Sequence, residues 1–92
     1  MQDEGELERM RAAIDVCNRR LAAVLHERAR LVRRVGTLKN ARGIPAIDAD
    51  REQRMLAAVV REAPADGFPP DALASIFAAV FAASRRVVAA TT

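Results

Sequence analysis

Aromatic residues, cysteine and histidine are scarce in this chain of 92 residues, which has no Trp, no Tyr, three Phe, one Cys and one His. A single cysteine excludes an internal disulfide and a cysteine-based zinc site, and it is typical of a reducing compartment. The acidic start MQDEGELERM does not resemble a secretory signal. We also expect no apolar run close to the roughly 20 residues that a membrane span needs. These absences predict a cytoplasmic protein outside the membrane.

Alanine, by contrast, is abundant: twenty residues are Ala, and apolar residues make up 51% of the chain. Because Ala is the strongest helix former, the composition predicts an all-α fold with an aliphatic core. The chain is well below the size at which proteins usually divide, so we expect a single domain over residues 1–92. The net charge of +3 favours an anionic partner but does not choose between nucleic acid, a membrane surface and a small ligand.

Two groups of Gly and Pro residues, at 41–45 and 64–70, interrupt the chain. Gly permits a helix to end and Pro prevents it from continuing, so the pattern predicts three helices, at roughly 5–42, 48–63 and 70–90. Asp48 or Asp50 can cap the second helix. The apolar stripe of the second helix is Met55, Leu56, Val59 and Val60, and that of the third is Leu73, Ile76, Phe77, Val80, Phe81, Val87 and Val88, with Ser84 in the same row.

The first predicted helix carries a seam of residues spaced three and four apart, which is the spacing of one helix face. Its members are Leu7, Met10, Ile14, Cys17, Leu21, Val24, Arg28, Leu31, Val35 and Leu38, and all but Arg28 are apolar. We expect Cys17 to be a small buried side chain in this seam and His26, which lies off it, to be exposed. Gly36 is a weak point that costs about 1 kcal/mol relative to Ala.

The length of the first helix predicts a dimer. A helix over 5–42 is roughly 57 Å long, at ~1.5 Å per residue. A compact chain of this size has a radius of gyration of ~12 Å and hence a diameter near 30 Å. Since two short helices do not cover such a rod, we expect a second copy to cover the seam, in an intertwined helical homodimer.

Arg28 is the anomaly of the seam, because a buried guanidinium loses hydration unless it is paired. Lys39 follows about three turns later, ~16 Å along the helix, and the two side chains could bracket a small anion. The alternative is a buried ion network of Arg28 with Asp48 or Glu52, and periodicity leaves both open. Arg11 is ~25 Å from Arg28 along one helix, but in an antiparallel dimer Arg11 of the partner subunit could approach it.

The other polar candidates have structural interpretations of their own. Asp48, Arg51 and Glu52 stand where helix caps and surface ion pairs are common. Ser84 is most simply a hydroxyl that bonds back to its own helix. No Ser or Cys nucleophile lies near the one His, which argues against hydrolytic covalent catalysis, and no metal-binding cluster is visible.

Taken together, Arg11, the stretch HERARLVRRVGTLK with Arg28 and Lys39, the stretch IPAIDADRE, and Ser84 resemble the all-helical class of chorismate mutases over nearly the whole chain. The resemblance implies an isomerase that rearranges chorismate to prephenate for Phe and Tyr biosynthesis, without cofactor, metal or covalent intermediate. Its dianionic substrate would lie in two composite sites of a homodimer.

The same resemblance implies a role for each residue. Arg28 and Arg11 of the partner subunit would hold the two carboxylates, and Lys39 would contact a carboxylate and the ether oxygen. The catalytic residues would then be Lys39, Arg28 and Glu52. The substrate-binding residues would be Arg11, Arg28, Lys39, Asp48, Arg51, Glu52, Ser84 and Val88, with Glu52 and the Asp48 backbone amide on the ring hydroxyl, and Arg51 and Ser84 near a carboxylate.

Val88 departs from the pattern of this family, which usually has Gln or Glu four residues after Ser84, hydrogen-bonded to the ether oxygen. Val donates nothing, so Lys39 would meet the developing charge alone unless Arg85 or the tail at Thr91-Thr92 compensates. Loss of one such donor costs on the order of 10²–10³ in rate, which predicts a poor or specialised mutase.

Three alternatives remain open, and a fourth is disfavoured. Related helical proteins act on 4-amino-4-deoxychorismate, whose amine would pair with Glu52, or remove pyruvate from isochorismate. A third alternative is a non-catalytic module that regulates or binds an enzyme of the aromatic pathway. A nucleic-acid binder rests only on the basic run at 28–34, and without aromatics for base stacking we expect no nucleic-acid partner.

Overall fold

Three helices and no strand make up the part of the chain that the computed structural model describes, which is residues 2–91, with side chains from 3 to 90. They are α1 (Gln2–Ala41), α2 (Ala49–Arg61) and α3 (Pro70–Thr91). The predicted all-α fold and its three helices are confirmed, with ends that differ from the prediction by at most three residues. Thr92, considered above as a compensating group, lies outside the described residues.

Two compact units, Met1–Leu31 and Val32–Thr92, divide the chain, and the boundary falls within α1. The first unit holds one helical segment. The second holds the end of α1 together with α2 and α3. The single domain expected from chain length stays a prediction.

In the first unit, the apolar seam is exposed in the single chain. Leu7, Met10, Ile14, Leu21, Val24 and Leu31 are between 48% and 60% exposed. Cys17 is exposed as well, so its expected burial is not found in the single chain, because one helical segment has no second surface to pack against. His26 is exposed, as predicted.

In the second unit, α2 packs against α3. The predicted stripe of α2 is half-buried throughout, and on α3 Phe81 is only 6% exposed. The rings of Phe77 and Phe81 lie 6.0 Å apart and are tilted by 59°, an arrangement that aromatic pairs favour. Ile76 was expected in the stripe of α3 but is 42% exposed. It lies at the edge of the stripe, about 60° around the helix from Leu73 at ~100° per residue.

The end of α1 is a Schellman motif. Gly43 has a φ of 68°, in the left-handed region that glycine adopts without strain. The Ile44 amide donates to the Lys39 carbonyl oxygen at 2.8 Å, and the Gly43 amide donates to the Asn40 carbonyl oxygen at 3.2 Å. The predicted break after 41 is therefore a specific reversal of the backbone, and it leaves Lys39 in the last turn of α1.

Gly36 is buried against α3. A Cβ atom on Gly36 would lie 3.1 Å from Cγ1 of Val88, closer than an ordinary van der Waals contact. The absence of a side chain therefore allows Val88 to approach the backbone of α1. The residue that was expected to be a weak point of the helix is a packing position.

The expectation that no segment is apolar enough to span a membrane is wrong for α3. Residues Pro70–Ala90 have a mean hydropathy of 1.6, and only 6% of that window is buried. By length and composition this helix could cross a membrane, because it combines many Ala with Val, Phe, Leu and Ile. Core helices of soluble proteins have the same properties, so the feature alone does not assign α3 to a membrane.

Candidate functional site

A cleft of about 310 Å³ lies where α1 ends and α2 begins. The Schellman turn at Gly43 redirects the chain, so that Ile44, Pro45, Ile47 and Asp48 line the same cleft as Lys39 in the last turn of α1. The cleft is lined by Lys39, Ile44, Pro45, Ile47, Asp48, Ala49 and Asp50. Its volume is at the lower end of the range, from ~300 Å³ upward, that small-molecule sites occupy. Two of the predicted site residues, Lys39 and Asp48, therefore share one cleft.

Lys39 supplies the positive charge of this cleft. It is half-buried, and it is the only cation among the described residues that line the cleft, which Asp48 and Asp50 also line. A half-buried ammonium is screened by salt less than a fully exposed one. Binding of a dianion here would need further cations besides Lys39, and the resemblance to chorismate mutases assigns that role to Arg11 and Arg28.

Asp48 is the N-cap of α2. Its extended backbone lets its Oδ1 accept a hydrogen bond from the Arg51 amide at 3.0 Å. The Glu52 amide donates to the Asp48 carbonyl oxygen at 3.1 Å. Between the two caps considered from the sequence, the structure selects Asp48, and this hydrogen bond satisfies one of the amides that a helix start leaves without a partner. The cap holds Arg51 and Glu52 in the first turn of α2.

Glu52 forms an ion pair with Arg85 of α3. Nη1 of Arg85 donates to both carboxylate oxygens of Glu52, at 2.9 Å to Oε1 and 2.8 Å to Oε2. The Glu52 side chain is 26% exposed and that of Arg85 is 41% exposed. Sequence reasoning considered both residues but missed the pair. They are 33 positions apart on different helices, and no local spacing indicates that they meet.

Ser84 and Val88 lie on α3, and both are half-buried. The Ser84 hydroxyl donates to the Val80 carbonyl oxygen at 2.8 Å, which confirms the predicted bond back to its own helix. Val88 faces the backbone of Gly36. A hydroxyl can accept as well as donate, so the donation to Val80 uses only part of the hydrogen-bonding capacity of Ser84.

Arg11 and Arg28 belong to the first unit, where Arg11 is exposed and Arg28 is half-buried. Their convergence with Lys39 stays a prediction, as does the alternative pairing of Arg28 with Asp48 or Glu52. Among the described residues, no group of three or more His, Cys, Asp or Glu side chains could hold a metal ion.

The model of the family "Chorismate mutase type II" matches residues 10–88 of this chain. Two solved structures of chorismate mutase from Thermus thermophilus have similar folds. Form II is 34% identical, covers 90% of this chain and 93% of its own, and has a TM-score of 0.87. Form I is 35% identical, and the match covers 86% of this chain and 98% of the Form I chain, with a TM-score of 0.83.

A curated relative, T-protein of Enterobacter agglomerans, is 38% identical over 72 residues. The match covers 78% of this chain but only 19% of that relative, so the chain spans about a fifth of its length. The predicted resemblance is confirmed by a family match over residues 10–88 and by a shared fold. On these grounds the chain belongs to the chorismate mutase type II family.

Proposed function

We propose that this protein is a chorismate mutase that rearranges chorismate to prephenate in the biosynthesis of Phe and Tyr. The observation that carries the proposal is half-buried Lys39 on a cleft of about 310 Å³, in a chain of this family. Chorismate is a small dianion, and its rearrangement needs neither a nucleophile nor a cofactor. The residues of the cleft suit such a reaction, because Lys39 offers a positive charge and the apolar residues around it give a surface that can confine a small molecule.

The reaction is a concerted [3,3] shift in which the ether C–O bond breaks ahead of C–C bond formation. Negative charge therefore builds on the ether oxygen in the transition state. Nζ of Lys39 donates to that oxygen, and a cation fixed before the reaction stabilises the transition state more than the ground state. Confinement in the cleft favours the chair-like conformer and so lowers the entropic part of the barrier.

The two carboxylates of the substrate are bound by Arg28 and by Arg11 of the partner subunit. A guanidinium presents two parallel N–H donors in a plane, which matches both oxygens of a carboxylate. Arg51 and Ser84 complete the surroundings of a carboxylate. Glu52 and the backbone amide of Asp48 bind the ring hydroxyl, to which Glu52 acts as acceptor and the amide as donor.

The working form is a homodimer in the cytoplasm. Six apolar seam residues of the first unit, each about half exposed in the single chain, support this proposal. A second copy of the same helix presents the same seam, and its burial removes a contiguous apolar surface from water. Since Arg11 enters the site of the other subunit, the dimer carries two composite sites.

The test of this function is the conversion of chorismate by the purified protein and by three variants. Lys39→Ala and Arg28→Ala are each expected to lower kcat/KM by on the order of 10² or more, since each removes a charge that acts on the transition state. Arg30→Ala, an exposed Arg on the same helix, is the matched control and should retain activity.

Circular dichroism and light scattering would verify that each variant is folded and dimeric. Wild-type protein that depletes chorismate no faster than the spontaneous reaction would overturn the proposal in favour of a non-catalytic module. Chromatography of the products on isochorismate and 4-amino-4-deoxychorismate would identify a lyase or an amino-substrate enzyme instead.

A further inference from the structure

We propose that Arg85 is a specificity-determining residue, and that its ion pair with Glu52 makes this position of the site accept a neutral ring hydroxyl in preference to a ring ammonium group. The inference rests on the proposed function, in which Glu52 binds the ring substituent of the substrate. It assigns Arg85 a task different from the compensation for Val88 that the sequence raised.

The geometry of the pair leaves Glu52 able to accept another hydrogen bond. A single nitrogen, Nη1 of Arg85, bridges both oxygens at 2.8 and 2.9 Å. A carboxylate offers about four lone-pair directions, and this contact uses one on each oxygen. A substrate hydroxyl can therefore donate to Glu52 while Arg85 remains in place. The ion pair also fixes the direction of the lone pairs that remain on Glu52, because Arg85 limits the rotation of the carboxylate.

The charge of the pair opposes a cationic substituent. With Arg85 in place, the negative charge of Glu52 is already balanced by a guanidinium at hydrogen-bond distance. An amine on the substrate ring would be protonated at neutral pH and would bring a second cation to the same carboxylate. Like charges a few ångströms apart repel, and this repulsion is stronger in a half-buried site than in open water. A hydroxyl carries no charge and escapes this repulsion.

The position of Arg85 suits a selective role. Arg85 lies on α3 directly after Ser84, and Glu52 lies in the first turn of α2, directly after Arg51, so the pair adjoins two other proposed binding residues. Both partners lie on helices that pack against each other in the same unit, so their separation does not depend on a loop. Removal of Arg85 leaves Glu52 as an uncompensated carboxylate, which is the group that an ammonium prefers.

The experiment compares chorismate with 4-amino-4-deoxychorismate for wild type, Arg85→Met, Arg85→Lys and Arg86→Met. We expect Arg85→Met to shift the ratio of the two kcat/KM values by about tenfold or more toward the amino substrate. Arg85→Lys keeps the charge and should keep the wild-type ratio. Arg86→Met removes the neighbouring exposed Arg of the same helix and should also leave the ratio unchanged.

The outcomes separate this inference from the proposed function. If Arg85→Met converts chorismate with the wild-type ratio, or loses activity on both substrates equally, Arg85 is at most a structural residue and the inference is wrong. If wild-type protein converts neither substrate, the proposed function fails and the inference fails with it. A wild-type preference for the amino substrate would overturn the inference even if the chain is an active mutase.

Discussion

The side chain of Val88 determines which hydrogen bonds the proposed site can offer to the substrate. It occupies the position where the family usually has Gln or Glu, and it packs against the backbone of Gly36. A valine supplies shape to the helix contact but no hydrogen-bond donor to a ligand. The proposed site therefore combines a fixed cation, Lys39, with an apolar residue where a second donor would act on the ether oxygen.

Val88→Gln is expected to raise kcat for chorismate. The new amide can donate to the ether oxygen as charge develops there, and one such donor is worth on the order of 10²–10³ in other enzymes. Because glutamine must also fit beside Gly36, we expect a gain at or below the lower end of that range, about tenfold to a hundredfold. Steady-state kinetics would measure it, with Val87→Gln as the matched insertion of an amide one position away. An unchanged or lower kcat would show that this position does not face the reacting atoms.

At the scale of the elements, glycine is required at two positions for different reasons. One is Gly36 within α1, and the other is Gly43 just after its end. Gly43 ends the helix through a positive φ, and nothing lies within 4 Å of the place where its Cβ would be. Gly36 has ordinary helical geometry, but a side chain would meet Val88. One position is thus constrained by its backbone and the other by its neighbour, and alanine substitution distinguishes the two.

Gly43→Ala is expected to lower the free energy of unfolding by about 1–2 kcal/mol, since an L-residue is strained in the left-handed region. Gly5→Ala is the control, because Gly5 lies within α1 and alanine favours a helix there by up to about 1 kcal/mol. Denaturant titration at a fixed protein concentration would compare them. A Gly43→Ala variant as stable as wild type would contradict the role of the positive φ.

The contact between Gly36 and Val88 predicts a coupling in a double-mutant cycle. Gly36→Ala alone should bring little or no stability, because the gain of about 1 kcal/mol in helix propensity is opposed by crowding at 3.1 Å from a stiff, β-branched side chain. In the Val88→Ala background the crowding is gone, and the same substitution should stabilise by about 1 kcal/mol. Thermal or denaturant unfolding of the four proteins gives the coupling energy. Additive effects would show that the two residues do not limit each other's packing.

At the scale of the whole molecule, the exposed seam is the feature on which the proposed dimer rests. In the first unit, large apolar side chains at a spacing of three and four are about half exposed, which is uncommon on a stable monomer. In the second unit, Phe81 is the only large apolar side chain that is buried among the described residues. So small a buried core is expected to leave an isolated chain marginal in stability.

Leu21→Glu is therefore expected to convert the proposed dimer into a monomer at micromolar concentration and to abolish chorismate turnover with it. A carboxylate in the centre of an apolar seam would have to be desolvated without a partner, which costs several kcal/mol. Ala23→Glu is the control, since it introduces the same charge on the opposite side of the helix. Sedimentation velocity gives the oligomeric state. A monomeric wild type with full activity would overturn the composite site.

Local patterns made most of the fold and the family predictable. Helix length, the breaks at Gly and Pro and a cap at Asp48 or Asp50 depend on residues within a few positions of each other. The spacing from Lys39 to Glu52 covers only the turn between α1 and α2. The prediction that Ile76 belongs to the buried stripe of α3 was wrong. Ile76 lies at the edge of the stripe, and how far burial extends there depends on the width of the helix that packs against α3. The membrane expectation failed for α3 because it considered unbroken apolar runs, whereas the mean hydropathy of the helix averages over its few polar residues.

The sequence alone determined three helices, their ends and a resemblance to chorismate mutases, because propensity, caps and motif spacing act between near neighbours along the chain. Only the tertiary structure decided that Glu52 meets Arg85, that Val88 needs a glycine opposite it, and that Lys39 and Asp48 line one cleft. Two of these contacts join residues 33 or more positions apart, and the third depends on the path of a tight turn. These contacts form only when the helices pack and the chain reverses direction, so the sequence of one segment does not determine them.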